Sequence, residues 1–233
     1  MLDFNQFEYL SFDCYGTLID WEGGIVAALR PILARHGVAA SDDEILTLFG
    51  ELESAAERGP YLAYREILGV TLDGIGERLG FTPMAAERSM FGVSVQHWPA
   101  FPDSAGGLRT LSEHFKLVIL SNVDDDLFAY SKTRLGVEFA DVITAQQVGS
   151  YKPNPRNFEV MLERLGNQPE RVLHVAQSLF HDIAPAKGLG LTTVWVNRRH
   201  DRPGFGATPP ATAQPDLEVP DLRTLAELAT GQK

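Results

Sequence analysis

The stretch from Tyr9 to Thr17, which reads Tyr-Leu-Ser-Phe-Asp-Cys-Tyr-Gly-Thr, decides the fold of this chain of 233 residues. Its first four residues predict a short buried strand that ends at Asp13. Gly16 and Thr17 then favour a turn, since glycine permits the backbone conformations that tight turns need. One strand cannot form a sheet alone, so this strand has to pair with strands that come later in the chain.

A helical pattern begins at Trp21. The apolar residues after it recur at three- and four-residue steps, which is typical of one face of a helix. Ser41 followed by Glu44 is a capping box and predicts the start of the next helix. A further helix is predicted at 61–68. We therefore predict that the segment 20–97 is wholly helical and is inserted after the first strand.

The second half of the chain alternates between apolar strands and helical stretches. The strands are predicted at 116–120, 142–144, 172–176 and 192–196, with helices at 104–114, 125–135, 155–165 and 182–189. Strands that alternate with helices form βαβ units, so the fold class is α/β with a Rossmann-like, doubly wound parallel sheet. A loop is predicted over 203–220, followed by a helix at 221–229. The domains are then a core, 1–19 and 98–233, and an all-helical cap, 20–97.

The charge and cysteine content of the chain argue against several classes of function. The chain has 31 acidic and 20 basic residues, which gives a formal charge of −11. This balance argues against nucleic acid and against a membrane surface as partners, although a small anionic substrate can bind in a local cationic pocket. The single cysteine, Cys14, cannot form an internal disulfide. Neither a signal peptide nor an apolar run long enough to span a bilayer is recognised, so we expect a cytoplasmic protein.

Polar side chains follow four successive strands at their carboxyl ends. They are Asp13, then Ser121 and Asn122, then Lys152, and then Ser178 and Asp182. In an open parallel sheet such ends meet at one crevice, where ligands bind. A carboxylate there can act as a nucleophile without a base to activate it, and a nearby ammonium would keep it ionised. These residues therefore predict nucleophilic catalysis by Asp13, with Lys152 beside it.

The same residues stand in motifs that resemble the haloacid dehalogenase superfamily. The motifs are Phe12–Leu18, Leu120–Asn122, Lys152–Pro155 and the region that ends at Asp182. The resemblance covers nearly the whole chain, and it implies a Rossmann-like core, a helical cap and an active site between them. The superfamily contains phosphatases as well as dehalogenases, so the variable positions of the motifs have to decide between the two.

Two positions set the chain apart from the phosphatases of that superfamily. Those enzymes resemble D-x-D-G-T, whose second acid protonates the leaving group, and an acidic pair near the fourth strand helps to hold Mg²⁺. Here Tyr15 replaces the second acid and Gln177 replaces one acid of the pair, which leaves Asp182 alone. Because Mg²⁺ prefers several oxygen ligands, we predict no metal ion, no other cofactor and no phosphoryl transfer. A phosphatase with a rearranged site is the less favoured alternative.

The pattern D-x-Y-G-T is that of the L-2-haloacid dehalogenases, and this resemblance implies the roles of the residues. Asp13 would attack the carbon that bears the leaving group and form an ester, which water then hydrolyses. Lys152 and Asp182 would position the nucleophile and help to activate the water. The residues expected to bind the substrate are Tyr15, Thr17, Trp21, Ser121, Asn122 and Ser178. His181 is interpreted as a partly exposed residue at a helix start rather than as a general base. We thus expect a metal-independent hydrolase, similar to the (S)-2-haloacid dehalogenases, that displaces a halide from C2 of a small 2-substituted carboxylic acid.

The substrate-facing positions depart from those of the dehalogenases. The cap arginine of the dehalogenases lies six residues before a tyrosine, and it corresponds to Ala55 if Tyr61 is that tyrosine. Arg58 or Arg65 would then have to replace it. Phe158 stands where the dehalogenases carry a tyrosine. The sequence therefore keeps the nucleophile and changes the residues around it.

A second branch of the superfamily is similar to the chain in those surroundings. The azetidine-2-carboxylate hydrolases are similar in Phe12–Glu22, Trp98–Asp103 and Gly149–Pro155. They open a strained ring at a C–N bond by the same displacement, with an amine as the leaving group. Halide loss is the first expectation and ring opening is the alternative. The resemblance is also compatible with a homodimer.

Overall fold

Six parallel strands form the centre of the computed structural model, which describes residues 2–202 and 204–231. Met1, Gln232, Lys233 and Pro203, the first residue of the predicted tail loop, lie outside the described residues. The strands are β1 (Tyr9–Phe12), β2 (Lys116–Ser121), β3 (Asp141–Thr144), β4 (Val172–Ala176), β5 (Thr192–Val196) and β6 (Leu217–Val219). They are arranged in the order β3-β2-β1-β4-β5-β6. The predicted α/β class with a doubly wound parallel sheet is therefore confirmed.

The apolar runs predict the first five strands to within one residue, and β6 is an addition. Leu217–Val219 falls within the predicted loop 203–220, so that part of the loop prediction is wrong. The strand is three residues long and pairs with β5 at the edge of the sheet. A pattern of that length is too short to be detected in the sequence.

The helices fall into two groups along the chain. The first group lies between β1 and Trp98 and contains α1 (Trp21–Arg35), α2 (Asp42–Glu57), α3 (Tyr64–Leu79) and α4 (Ala85–Gly92). The second group contains α5 (Ser104–Ser112), α6 (Asp125–Leu135), α7 (Ala145–Val148), α8 (Pro155–Arg164), α9 (Ala184–Gly188) and α10 (Leu222–Thr230). We call the first group the helical insertion. Its place after the first strand is confirmed, whereas the division of the chain into domains at 20 and 98 stays a prediction.

The capping box and the helix lengths in the insertion can be compared with the prediction. Ser41 begins α2 as predicted, because its Oγ accepts from Glu44 N at 3.3 Å and its N donates to Glu44 Oε2 at 2.8 Å. α3 begins later than the predicted segment 61–68 and runs on to Leu79. The sequence therefore predicts where a helix exists better than where it ends.

The strand order places β1 where the direction of the sheet's connections changes. β1 pairs with β2 on one side and with β4 on the other. In open α/β sheets ligands bind beyond the carboxyl ends of the strands at such a point. Asp13 follows β1 directly, and a π-helical turn, Leu179–Ile183, follows β4. The topology therefore brings these two segments to one crevice.

Two segments join the helical insertion to the sheet, and they pair with each other. Asp20 N donates to Pro99 O at 2.7 Å, and Phe101 N donates to Leu18 O at 3.0 Å. Trp98 packs against α1 at Gly24, where a Cβ atom would lie 2.3 Å from Trp98 Cγ. The close approach therefore requires glycine at this position. The connection is tightly packed where the chain leaves β1 and where it returns.

The strands are buried almost throughout. Every residue of β4 is buried, and so are all residues of β2 except Lys116. This is typical of a parallel sheet that helices cover on both faces. None of the described helices is long and apolar enough to cross a membrane.

Candidate active site

Asp13 lies at the carboxyl end of β1 with both of its carboxylate oxygens hydrogen-bonded. Lys152 Nζ donates to Asp13 Oδ1 at 2.9 Å, and Thr17 Oγ1 donates to Asp13 Oδ2 at 2.7 Å. Thr17 Oγ1 in turn accepts from Gln177 N at 2.9 Å. Asp13 is 6% exposed. Its carboxylate is therefore held in a fixed orientation close to the surface of the crevice.

Lys152 is buried, and its ammonium group donates hydrogen bonds to three protein oxygens. Nζ donates to Asp13 Oδ1, to Leu120 O at 2.9 Å and to Asp182 Oδ1 at 2.6 Å. The side chain amide of Asn122 fixes the backbone of Lys152, because its Oδ1 accepts from Lys152 N at 2.8 Å and its Nδ2 donates to Lys152 O at 3.0 Å. Lysine is almost never fully buried without such partners. The ammonium is thus a fixed positive charge between two carboxylates.

Asp182 has a further partner beneath it, in the sheet. His174 Nε2 lies 3.0 Å from Asp182 Oδ1, and His174 Nδ1 lies 2.9 Å from Ser11 Oγ. His174 and Ser11 are not among the site residues predicted from the sequence. A signal was present, because they are polar residues in two buried strands and are register partners of β1 and β4. The chain of contacts therefore runs from Ser11 through His174 and Asp182 to Lys152.

Burial and the three charges shift the pKa values in different directions. Burial raises the pKa of Asp13, although Lys152 and Thr17 act to lower it. Burial also disfavours the charged form of Asp182, but Lys152 and His174 outweigh it and lower the pKa of that carboxyl. The pKa of Lys152 is raised, because the two carboxylates outweigh burial, which alone would lower it. Lys152 thus favours an ionised Asp13, as expected, but Asp182 is the more acidic of the two carboxyls.

A small cavity of about 30 Å³ lies against Asp13. Eight of the predicted residues line it, namely Asp13, Tyr15, Trp21, Ser121, Asn122, Lys152, Ser178 and Asp182. Four residues that were not predicted to line the site complete it, namely Glu53, Glu57, Tyr64 and His181. A cavity of this size holds about one or two water molecules.

The predicted substrate-binding residues differ in how their polar atoms are used. Thr17 bonds to Asp13 from behind the cavity, and Tyr15 OH lies 2.9 Å from Ser131 Oγ. Ser121 Oγ and Trp21 Nε1 are buried and have no hydrogen-bond partner among the described residues. Two donors in the cavity lining are therefore available to a ligand.

The helical insertion contributes two carboxyl groups to the cavity. Glu53 Oε1 accepts from Tyr64 OH at 2.6 Å, and Glu57 Oε1 accepts from Asn122 Nδ2 at 3.2 Å. Burial raises the pKa of Glu53 to about 7. Burial, followed by the charge of Glu53, raises the pKa of Glu57 well above its ordinary value. The insertion thus presents a pair of carboxyls that can hold protons near neutral pH.

Sequence spacing could have identified Glu53 as an inward-facing residue. It follows Ile45 and Phe49 at four-residue steps on the buried face of α2. An acidic residue on an apolar helix face is unusual and indicates either a partner or a site. Glu57 is one further four-residue step along α2, and its side chain is 5% exposed.

The two arginines proposed to replace a cap arginine lie elsewhere. Arg65 forms ion pairs with Asp124 and Asp126. Arg58 is exposed, and its NH1 donates to Ser54 Oγ at 3.0 Å. Neither arginine lines the cavity. The insertion therefore presents carboxyl groups where the resemblance to the dehalogenases implies a guanidinium.

His181 lies in the cavity lining and is only 6% exposed, so its interpretation as a partly exposed residue is wrong. The reason is the π-helical turn Leu179–Ile183, which turns His181 inwards beside Asp182. The backbone N of His181 donates to Ser178 Oγ at 2.8 Å, and its Nδ1 lies 3.1 Å from the same oxygen. Burial lowers the pKa of His181 to about 4, so its ring is neutral at neutral pH.

The residues at the crevice do not fit a magnesium ion. Lys152 Nζ lies where it bonds to both Asp13 and Asp182. Gln177 stands in place of a further carboxylate, and its Oε1 accepts from Thr208 Oγ1 at 3.3 Å. Across residues 2–202 and 204–231, no group of three or more His, Cys, Asp or Glu side chains is arranged to hold a metal ion. We therefore derive no step through a metal.

Comparisons with known proteins agree with the fold and give the family. A family model described as haloacid dehalogenase-like hydrolase matches residues 8–190. The haloacetate dehalogenase H-2 of Moraxella sp. (strain B) is 26% identical over 229 residues, which cover 96% of this chain and 98% of that protein. The glyceraldehyde 3-phosphate phosphatase of Methanothermobacter thermautotrophicus is 35% identical over 193 residues, which cover 80% of this chain and 84% of that protein.

Solved structures share the fold across nearly the whole chain. The L-2-haloacid dehalogenase from Xanthobacter autotrophicus with chloropropionic acid covalently bound superposes with a TM-score of 0.79 at 22% identity. The match covers 97% of this chain and 100% of that one. At this identity the likeness concerns the fold.

Proposed function

Because the chain belongs to the haloacid dehalogenase-like hydrolases, we propose that it displaces a leaving group from C2 of a small carboxylic acid through an ester on Asp13. The observation that carries the proposal is the single oriented carboxylate, held by Lys152 and Thr17. Tyr15 and Gln177 stand where phosphatases of the superfamily have acids. The proposed chemistry needs one nucleophile and no metal ion.

The first step forms a bond between an Asp13 carboxylate oxygen and C2 of the substrate. The bond from C2 to the leaving group breaks, and its electron pair departs with that group. Covalent catalysis of this kind divides one difficult displacement into two easier steps. Lys152 holds Asp13 at a fixed distance and orientation, so little reorganisation is needed at the moment of attack.

The second step hydrolyses the ester. Water adds to the carbonyl carbon of the Asp13 ester and gives up a proton to a base. The bond from that carbon to the ester oxygen then breaks, and the departing alkoxide takes that proton back and is released as a 2-hydroxy acid, which leaves Asp13 as a carboxylate. Asp182 is suited to accept the proton of this water, because its Oδ2 is buried without a hydrogen-bond partner among the described residues. Lys152 stabilises the negative charge that develops on the ester.

A small carboxylate fits the donors that the cavity leaves unused. Ser121 Oγ and Trp21 Nε1 can each donate to a carboxylate oxygen, and both residues lie in the lining beside Asp13. Small-molecule sites typically place a few polar groups to fix orientation in this way. The substrate's C2 would then lie next to the nucleophile.

Halide is the first candidate for the leaving group. It is the group that the names of the relatives indicate, among them haloacetate dehalogenase H-2 and (S)-2-haloacid dehalogenase 1. An anion that leaves toward the helical insertion would, however, meet Glu53 and Glu57 instead of an arginine. Ionised carboxyls would repel a halide, whereas protonated ones could donate to it.

An amine is the second candidate, and the insertion carboxyls favour it. In azetidine-2-carboxylate the leaving nitrogen is part of a strained ring and carries a positive charge near neutral pH. Attack by Asp13 at C2 breaks the C2–N bond, and the electron pair of that bond stays on the nitrogen. Because the nitrogen is already protonated in the ring, it leaves as a neutral primary amine that keeps both of its hydrogens. Hydrolysis of the ester then gives 4-amino-2-hydroxybutanoate. Glu53 and Glu57 supply the acceptors for such a cation.

A single turnover in ¹⁸O water tests the shared mechanism. With enzyme in excess over 2-chloropropionate or azetidine-2-carboxylate, we expect one ¹⁸O atom in the peptide that carries Asp13 and none in the first product. Chloride or the amino acid product should appear at an unchanged rate in the presence of EDTA. Direct attack by water would instead place the label in the product, and loss of turnover with EDTA would indicate phosphatase-like metal chemistry.

The variant Glu57→Gln distinguishes the two leaving groups. Glutamine retains an acceptor for Asn122 but lacks the carboxyl that can carry a negative charge beside the cationic ring nitrogen, so we expect ring opening to slow by about tenfold or more. Turnover of 2-chloropropionate should change by less than about threefold. Glu51→Gln, on the exposed part of α2, is the matched control and should change neither rate. An equal loss with both substrates would mean that Glu57 does not act on the leaving group.

A further inference from the structure

We propose that His181 binds the carboxylate of the substrate through its Nε2–H, and that Ser178 selects the tautomer that carries this proton. The inference rests on the proposed function, since it names the group of the substrate that His181 would contact. It assigns a substrate-binding residue that the motifs of the sequence did not indicate.

His181 lies at the proposed substrate site with an unpartnered ring nitrogen. The side chain lines the same cavity as Asp13, at the carboxyl end of β4. Its Nε2 is buried and has no hydrogen-bond partner among the described residues. Glu57 Oε2 is 3.8 Å away, which is too far for a hydrogen bond. A buried polar atom without a partner is rare in native proteins, and a ligand is one explanation for it.

The hydroxyl group of Ser178 has one proton to donate, and its acceptor bears on the tautomer of His181. Ser178 Oγ accepts from the backbone N of His181, and the acceptor recorded for its own proton in residues 2–202 and 204–231 is His181 Nδ1. If the hydroxyl donates to Nδ1, that nitrogen is unprotonated. The single proton of the neutral ring then lies on Nε2.

Charged groups of both signs surround the His181 ring. Asp182 in the same π-helical turn and Lys152 in the loop before α8 shift the pKa of His181 in opposite directions, and Glu57 faces the ring from α2. The ring therefore donates a hydrogen bond without adding a charge to the site. Phe180 packs edge-on at a centroid distance of 4.9 Å and limits rotation of the ring. His181 joins Ser121 and Trp21 as a third unused donor in one cavity lining.

The tautomer can be tested without turnover by ¹⁵N NMR of histidine-labelled protein. We expect His181 to show a protonated Nε2 and an unprotonated Nδ1 at neutral pH. In the variant Ser178→Ala this preference should weaken. Addition of 2-hydroxypropionate, the product expected from 2-chloropropionate, should shift the Nε2–H signal. A proton on Nδ1 in the free protein, or a Nε2–H signal that does not respond, would overturn the proposal.

The contact with the carboxylate can be tested by comparing a substrate acid with its primary amide. We expect His181→Leu to reduce the ratio of kcat/KM for the acid to that for the amide by about tenfold or more, because the amide lacks the negative charge. His181→Gln, which keeps an N–H donor, should retain most of the ratio. His114→Leu, at an exposed histidine outside the cavity, is the control.

The possible outcomes separate this inference from the proposed function. An equal loss with acid and amide in His181→Leu would mean that the residue is only structural, which overturns the inference. If the wild-type protein turns over neither 2-chloropropionate nor azetidine-2-carboxylate, the proposed function is wrong. The NMR experiment then still decides whether His181 carries the proton on Nε2 and responds to a carboxylate.

Discussion

Replacement of Asp13 by asparagine will reduce turnover by about 10⁴-fold or more, because the amide cannot form the ester with C2. Asparagine has nearly the same shape, and its Oδ1 can still accept from Lys152. Its NH2 group can only donate, so the hydrogen bond with Thr17 Oγ1 has to reverse. The loss should appear in kcat as well as in kcat/KM. Burst and steady-state measurements with whichever substrate the wild-type protein turns over will check this.

The same substitution should have the opposite effect on stability, because Asp13→Asn should gain stability relative to wild type as the pH rises. Burial raises the pKa of Asp13, so the folded protein loses stability as the pH rises from the ordinary carboxyl range through that raised pKa. Asparagine does not titrate. The melting temperature of Asp13→Asn relative to wild type should therefore increase between about pH 4 and pH 7.

A matched control is available in a second aspartate–lysine pair. Asp216 accepts from Lys187 Nζ at 2.8 Å and lies outside the cavity. Asp216→Asn should retain full turnover, and its stability should fall relative to wild type as the pH rises, because the pKa of Asp216 is lowered. Turnover of Asp13→Asn within about tenfold of wild type would contradict the ester mechanism.

The acid side of the pH profile follows from the same group. Asp13 attacks only when it is ionised, so kcat/KM should fall as the pH decreases through its pKa in the free enzyme. Because burial raises that pKa, the fall should begin above the ordinary range of an aspartate. The order of the strand-end residues predicts this nucleophile, but the shift depends on burial, which the sequence does not report.

The sheet and the nucleophile could be predicted because their signals are local. β1 is a short apolar run, and Asp13 is the next residue. Lys152 is predicted beside Asp13 because parallel strands place their carboxyl ends at one edge. Lys152 Nζ lies 2.9 Å from Asp13 Oδ1, which agrees with this expectation.

The rest of the cavity could not be predicted because it depends on long-range packing. Glu57 is 65 residues from Asn122 in sequence, and only the fold brings them within hydrogen-bond distance. His181 faces inwards because of a π-helical turn, and helical periodicity does not predict such a turn. His174 contacts Asp182 from within β4, where a polar residue is hidden in an apolar run. The surroundings of the nucleophile are therefore a property of the fold.

The variant Lys152→Met will lose turnover by about 10³-fold or more, since it removes the charge that holds and ionises Asp13. Methionine keeps the length and apolar character of the lysine stem, so the packing of that stem changes little. Without the ammonium, Asp13 and Asp182 face each other as like charges, and the pKa of Asp13, already the higher of the two, will rise further. The acid side of any residual pH profile should move to higher pH.

The free energy of unfolding of Lys152→Met should also decrease, because removal of the ammonium leaves the buried carboxylates of Asp13 and Asp182 uncompensated. We expect a loss of about 3–5 kcal/mol at neutral pH, which becomes smaller as the pH falls and Asp13 takes up a proton. Lys187→Met removes a more exposed ammonium and should cost only about 0–1 kcal/mol. Denaturant unfolding at several pH values measures all of these differences.

The double variant Lys152→Met, Asp13→Asn separates the charge argument from a simple packing defect. With one carboxylate removed, the like-charge repulsion disappears, so the double variant should be more stable at neutral pH than the sum of the two single-variant effects predicts. Its turnover should stay as low as that of Asp13→Asn. If the two substitutions instead destabilise additively, the cost of losing Lys152 lies in packing, and the ammonium does not control the charge of Asp13. Because the double variant removes the repulsion, the comparison holds even where Lys152→Met folds poorly at neutral pH.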